Sequence, residues 1–184
     1  MPAMNVTTLA PVETEPLPIL IAPHPVLKRR TLAVRPEQFE AVRALAPRMF
    51  DVMYRAPGIG LAAPQVGSTL RFAVVDLMPD DKRAPIVLVN PEIVAASEEQ
   101  ATREEGCLSL PGMYADVSRP ARVTVRYQDE NGVRRELQAD GLLAACLQHE
   151  IDHLDGVLFV DHLSVLKRNM IMRRLAKEQR KDKK

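Results

Sequence analysis

At 184 residues, with 46% hydrophobic and 27% charged side chains and a net charge of +1, the chain reads as one soluble globular domain with enough material for a real core. Two widely separated cysteines exclude a disulfide framework and suit a reducing cytosol, and no apolar run approaches the roughly 18 residues of a membrane span. Aromatic residues are 4% of the chain and tryptophan is absent, so the core must be mostly aliphatic side chains and methionine.

Residues 1–16 hold three prolines, two glutamates and no basic residue, which fits neither a secretory leader nor a transit peptide. They read as a flexible extension ahead of a single domain spanning 17–184. Pro18–Ala22 is predicted as a short strand, followed by a turn through Pro23, His24 and Pro25 in which His24 is structural. From Pro36 to Arg55 the apolar residues Phe39, Val42, Leu45, Ala46, Met49, Phe50 and Met53 recur at helical spacing. Gly58, Gly60 and Ala63 then satisfy a loose GxGxxA spacing, but the segment follows a helix and meets Pro64 at once. No nucleotide cofactor is expected there.

Leu70–Leu77 and Ile86–Val89 are predicted strands separated by a polar turn from Pro79 to Pro85, and Glu98–Glu104 is a third. Arg122–Gln128 alternates Val123, Val125 and Tyr127 with polar residues, Asn131-Gly132 marks a hairpin, and Val133–Ala139 returns. Strands without βαβ alternation point to an α+β fold with mainly antiparallel sheets packed around a central helix, and a C-terminal helix.

That central helix lies in Leu142–Gly156, where His149 and His153 stand one turn apart and can share a metal ion, with Glu150 close enough to reach a water on it. Asp140 is the expected N-cap, Leu142, Leu143, Leu147, Ile151 and Leu154 form an apolar stripe, and Gly156 follows the last turn. A catalytic site of this kind needs a third ligand. Phe159 occupies the place where a third histidine would fall, and Glu178 sits in a basic run. Cys146 shares the helix, but lies about 7 Å back along the axis and reads as a small buried residue near the site. Cys107, in the Gly- and Pro-bounded segment EEGCLSLPG, can approach from a separate strand or loop.

Three motifs, GIGLAAPQ (Gly58–Gln65), EGCLS (Glu105–Ser109) and QHEIDHLDG (Gln148–Gly156), together resemble the peptide deformylases, and the likeness runs from about Leu17 to the C-terminus. The resemblance implies an enzyme that removes the N-formyl group from formyl-methionyl nascent peptides in the cytoplasm and releases formate. Cys107, His149 and His153 would hold one divalent metal, by resemblance Fe2+, with Zn2+, Ni2+ or Co2+ also suited to the donors. The metal would lower the pKa of a bound water, with Glu150 expected to carry the proton to the departing amine and the Gln65 side chain and the Leu108 backbone N–H expected to stabilise the oxyanion. Ile59, Leu142, Ala145 and Cys146 match the apolar pocket for the methionine side chain, and the backbone at Gly60 and Gly106 would align the peptide. One departure stands out: many bacterial members carry a peptide-contacting arginine seven residues after the ligand cysteine, and here that residue is Tyr114.

Leu163 is expected to start the final helix, with Ser164 in its first turn and Leu166, Met170 and Leu175 along one apolar side; Val157–Asp161 before it should be extended, and His162 structural. From Leu163 onward nine basic residues face two acidic ones, so the tail carries +7 and the rest of the chain −6. Such asymmetry suits an acidic or nucleic-acid partner, and the family resemblance points to the ribosome. Two other readings predict different behaviour. An HExxH metallopeptidase would cut internal peptide bonds, and an RNA-binding module using the basic C-terminal helix would act without the metal.

Overall fold

The computed structural model describes residues 15–183, so the segment expected to be an N-terminal extension lies, up to residue 14, outside the described residues. The regular elements are α1 (Phe39–Arg55), β1 (Gly60–Ala62), β2 (Phe72–Val75), β3 (Ile86–Ala96), β4 (Gln100–Cys107), β5 (Leu110–Pro120), β6 (Arg122–Gln128), β7 (Arg134–Asp140), α2 (Gly141–Leu154) and α3 (Val165–Lys181). Five strands form one sheet in the order β1-β2-β3-β6-β7, every neighbouring pair antiparallel, while β4 and β5 form a separate hairpin. This is the α+β fold the sequence implies. Among the described residues no helix is long and apolar enough to cross a membrane.

Helix α1 buries Phe39, Val42, Ala46, Met49 and Met53, the stripe read from the sequence, against Leu61, Phe72 and Val74. Pro47 lies inside α1 on its exposed face, where the carbonyl whose helical bond it removes can meet water. Val123 and Val125 of β6 are buried on one sheet face, and the hairpin to β7 turns through Gly132, whose φ of +79° a glycine adopts without strain. Helix α2 lays Leu147 and Ile151 on this sheet against Val75, Leu88, Val123 and Val125. A second apolar cluster joins Leu110, Met113 and Val117 of β5 to Phe159, Val160 and Leu175.

Several expectations are corrected. Pro18–Ala22 forms no strand, because its backbone groups bond to separate places: Leu20 N–H donates to Gln65 O (2.7 Å), Ala22 N–H donates to Ser109 O (2.9 Å) and Ile21 O accepts from the His24 N–H (3.1 Å). The strand expected over Leu70–Leu77 narrows to β2, and the one over Ile86–Val89 extends to Ala96. Strand β5 escaped prediction, since Pro111, Gly112 and Pro120 break up its pattern. Val157–Asp161 is not an extended piece: Phe159–His162 is a 3-10 turn. Asp140 occupies the N-cap of α2, yet its side chain makes no capping bond. Leu142 leaves the predicted stripe and is half exposed.

Helix α3 begins at Val165, and Ser164 is its N-cap, accepting from the Lys167 N–H at 3.3 Å. Its buried side is Leu175 with Ile171 and Met172, whereas Leu166 (71% exposed) and Met170 (61%) point to solvent. The reason is angular: five residues at 100° each place Met170 and Leu175 about 140° apart around the helix.

Candidate active site

The helical repeat of α2 sets His149 and His153 on one side, where they meet the tip of the β4–β5 hairpin. Residue pairing shifts between Gly106 and Cys107, Cys107 pairs with Leu110, and Leu108 and Ser109 form the turn. Cys107, His149 and His153 offer ligand atoms that all lie within 4.8 Å of one another, with Cys107 Sγ 3.2 Å from His153 Nε2. The gap between the cysteine and the histidine nitrogen is close to what a tetrahedral ion with bonds of about 2.0–2.3 Å requires.

The site is anchored from behind. Glu105 Oε2 lies 3.0 Å from His149 Nδ1, which leaves Nε2 for a ligand role. Arg119, itself buried, donates to Glu105 Oε1 at 2.6 Å and Oε2 at 3.0 Å and reaches Asp152 Oδ2 at 2.7 Å. His162 Nε2 closes the chain on Asp152 at 2.7 Å, so this histidine is structural, as expected, but through an acid the sequence did not single out. Burial pushes the Glu105 carboxyl up, yet the hydrogen bonds from His149 and Arg119 outweigh it and hold the group down at about 2.

The two histidines are driven in opposite directions. Burial lowers His149, but its contacts with Cys107 and Glu105 prevail and draw it well above its ordinary value; His153 is pushed well down, first by burial, and stays a neutral imidazole. Glu150 is 3% exposed, and burial raises it to about 7 against the opposing pull of His149. Among the described residues only Glu150 Oε2 and His153 Nδ1 are buried polar side-chain atoms without a partner, and Glu150 borders open space.

That space is a cavity of about 650 Å³. The six residues predicted to bind substrate, Ile59, Gly60, Gly106, Leu142, Ala145 and Cys146, all line it. Gln65, Leu108, Cys107, His149 and Glu150 line it too, whereas His153, 1% exposed, does not border the cavity and joins the group from behind, through its contact with Cys107 Sγ. Cys146 is buried with its Sγ 3.8 Å from Ile59 O, and burial pushes its thiol well up, in keeping with a packing role. Tyr114 lies over Gly106, where a Cβ would come 2.5 Å from the Tyr114 ring, and is 63% exposed at the cavity edge. Sequence reasoning gave no role to Arg119, Asp152 or Glu105. Of these, Glu105 and Asp152 carried a signal, their places in the EGCLS and QHEIDHLDG motifs, and Arg119 carried none.

A cysteine sulfur and two imidazoles close enough together to hold one metal ion, with a buried carboxyl group at the wall of the adjoining cavity, are the arrangement of a metal-dependent hydrolase. A family model described as polypeptide deformylase matches residues 16–169, and the chain belongs to that family. The peptide deformylase of Brucella suis is 52% identical over 162 residues, covering 87% of this chain and 91% of its own. A crystal structure of a peptide deformylase from Legionella pneumophila superposes with a TM-score of 0.84 at 48% identity, covering 90% of this chain and 96% of that one. The Ehrlichia chaffeensis enzyme, solved in complex with actinonin, gives 0.84 at 38% identity, with 89% and 98% covered. Peptide deformylases are metal-dependent and remove N-formyl groups from nascent peptides; neither a general peptidase nor an RNA-binding module acting in place of the enzyme finds support.

Proposed function

We propose that Cys107, His149 and His153 hold the metal of this deformylase and that Glu150, Gln65 and Leu108 carry the hydrolysis of the formyl amide of formyl-methionyl peptides. When bound, the metal supplies Lewis acidity that polarises the carbonyl and acidifies the attacking water. Glu150 takes a proton from that water and passes it to the nitrogen of the departing amine, so that amide and water become formate and a free amino terminus. The Gln65 Nε2–H and the Leu108 backbone N–H donate to the carbonyl oxygen as negative charge gathers there. The methionine side chain enters among Ile59, Leu142, Ala145 and Cys146, and the peptide backbone runs beside Gly60 and Gly106.

The observation that carries this reading is the gathering of one sulfur and two imidazoles within 4.8 Å beside a buried Glu150. Formate release from formyl-Met peptides tests it. Glu150→Ala should retain metal and lose about 10²–10⁴-fold in rate, and Cys107→Ser should lose both metal and activity. Full turnover by the Glu150 variant would sink the mechanism.

Ferrous iron is the proposed native ion by likeness to the family. Zinc, nickel and cobalt suit the same donors, and elemental analysis of anaerobically purified protein decides among them. We take 17–184 as a single catalytic domain and the cytoplasm as its compartment, a reducing setting that suits two cysteines not joined in a disulfide. Exposed Arg173, Arg174 and Lys177 of α3 support contact with ribosomal RNA. Reversing Arg173 and Arg174 to Glu should weaken salt-sensitive cosedimentation with ribosomes while leaving peptide turnover intact.

A further inference from the structure

Gln65 is 1% exposed and its carboxamide is held at every polar atom. The Ala62 N–H donates to Oε1 at 2.9 Å, which fixes which end of the amide is oxygen. Nε2 therefore faces the hairpin tip, where it donates to Ser109 Oγ at 3.1 Å and, over a longer distance, to Cys107 Sγ at 3.6 Å. An NH2 group has two hydrogens that diverge by about 120° in the amide plane, so occupying one determines where the other points.

Ser109 is fully buried and is braced in its turn. Its carbonyl accepts from the Ala22 N–H at 2.9 Å, while the Leu20 N–H, two residues earlier on the same segment, bonds the Gln65 carbonyl at 2.7 Å. One stretch of backbone thus ties together the two loops that bear Gln65 and Ser109. Ile19, next to it, lines the cavity.

We propose that Ser109 is a positioning residue for the reaction: its hydroxyl takes one Nε2 hydrogen of Gln65 and so holds the other on the side of Cys107 Sγ, where the reacting carbonyl meets the proposed metal ligands and can take that hydrogen over, with the Leu20–Ala22 segment fixing the spacing between the two loops. The inference rests on the proposed role of Gln65 as oxyanion donor. It assigns the serine no contact with substrate, and its whole effect passes through Gln65.

A double-mutant cycle separates the possibilities. Ser109→Ala should lower kcat about tenfold with KM within about twofold, a part of the roughly 10²–10³-fold expected for removing the donor itself in Gln65→Ala. In the Gln65→Ala background, Ser109→Ala should change kcat by less than about twofold, because the group it orients is gone. A full additional tenfold loss in the double variant would show that the serine supports only the fold and would overturn the proposal, as would unchanged kcat in Ser109→Ala alone. Undiminished activity of Gln65→Ala would instead remove the underlying reading of Gln65, a separate outcome. Nuclear magnetic resonance of the zinc-loaded wild-type protein provides a readout independent of turnover. The side-chain NH2 signals assigned by their loss in Gln65→Ala should be two resolved lines protected from solvent exchange, and rapid exchange there would also overturn the proposal.

Discussion

Gly60 runs so close to Glu150 that a single added methyl group would collide with it: a Cβ on Gly60 would stand 2.5 Å from Glu150 Oε1 and 3.0 Å from Cys146 Sγ. The glycine is required by the approach of the carboxyl group. Gly60→Ala should displace that carboxyl by a fraction of an ångström to an ångström and cost about 10²-fold in turnover. Formate release beside a thermal melt checks this, with Tm expected to move by only a few degrees.

Glu105 has two tasks, and two substitutions separate them. Glu105→Gln keeps a polar group facing His149 Nδ1 but weakens its orientation, and metal affinity should fall about 10–100-fold in competition with a chelator. Glu105→Ala leaves the buried Arg119 without its main partner, and urea unfolding should show a loss of about 3–5 kcal/mol.

A pH dependence of stability follows from Asp76, far from the metal ligands in sequence. Its buried carboxylate accepts from the Tyr54 hydroxyl at 2.5 Å and from the backbone N–H groups of Met78 and Ala84. Burial pushes the acid up, but these donors prevail and hold it below its ordinary 3.8. A depressed folded value means the contribution is whole above 3.8 and disappears as pH drops through the folded pKa. The stability gap between the wild type and Asp76→Asn should therefore be constant near neutrality and shrink below about pH 4 in denaturant titrations.

Two leucines of α3 should behave oppositely. Leu175 is 1% exposed against Phe159 and Val160, and Leu175→Ala should cost about 2–5 kcal/mol. Leu166, 71% exposed, should change stability by less than about 0.5 kcal/mol on replacement by alanine. Equal effects would contradict the packing of this helix.

What the sequence revealed and concealed has a common cause. The α1 stripe, the β6–β7 hairpin and the pair His149 and His153 depend on short-range periodicity, and each appears where local spacing places it. The face of α3 departs from the expectation because Leu166 and Met170 share one side of the helix while Leu175 lies about 140° round from Met170, and only the partner surface decides which side is covered. Arg119 was invisible for another reason. Its meaning comes from β5 folding back on β4, which brings it to Glu105, and from α2 presenting Asp152 across the gap. Ser109 was read only as the last letter of a motif, since its bond to Gln65 spans 44 positions.

Tyr114, lying across Gly106 at the edge of the opening, gives the molecule an optical use. Because the chain contains no tryptophan, Tyr114→Trp would install a lone indole emitter at the doorway. Its fluorescence would then report each arriving peptide without a label.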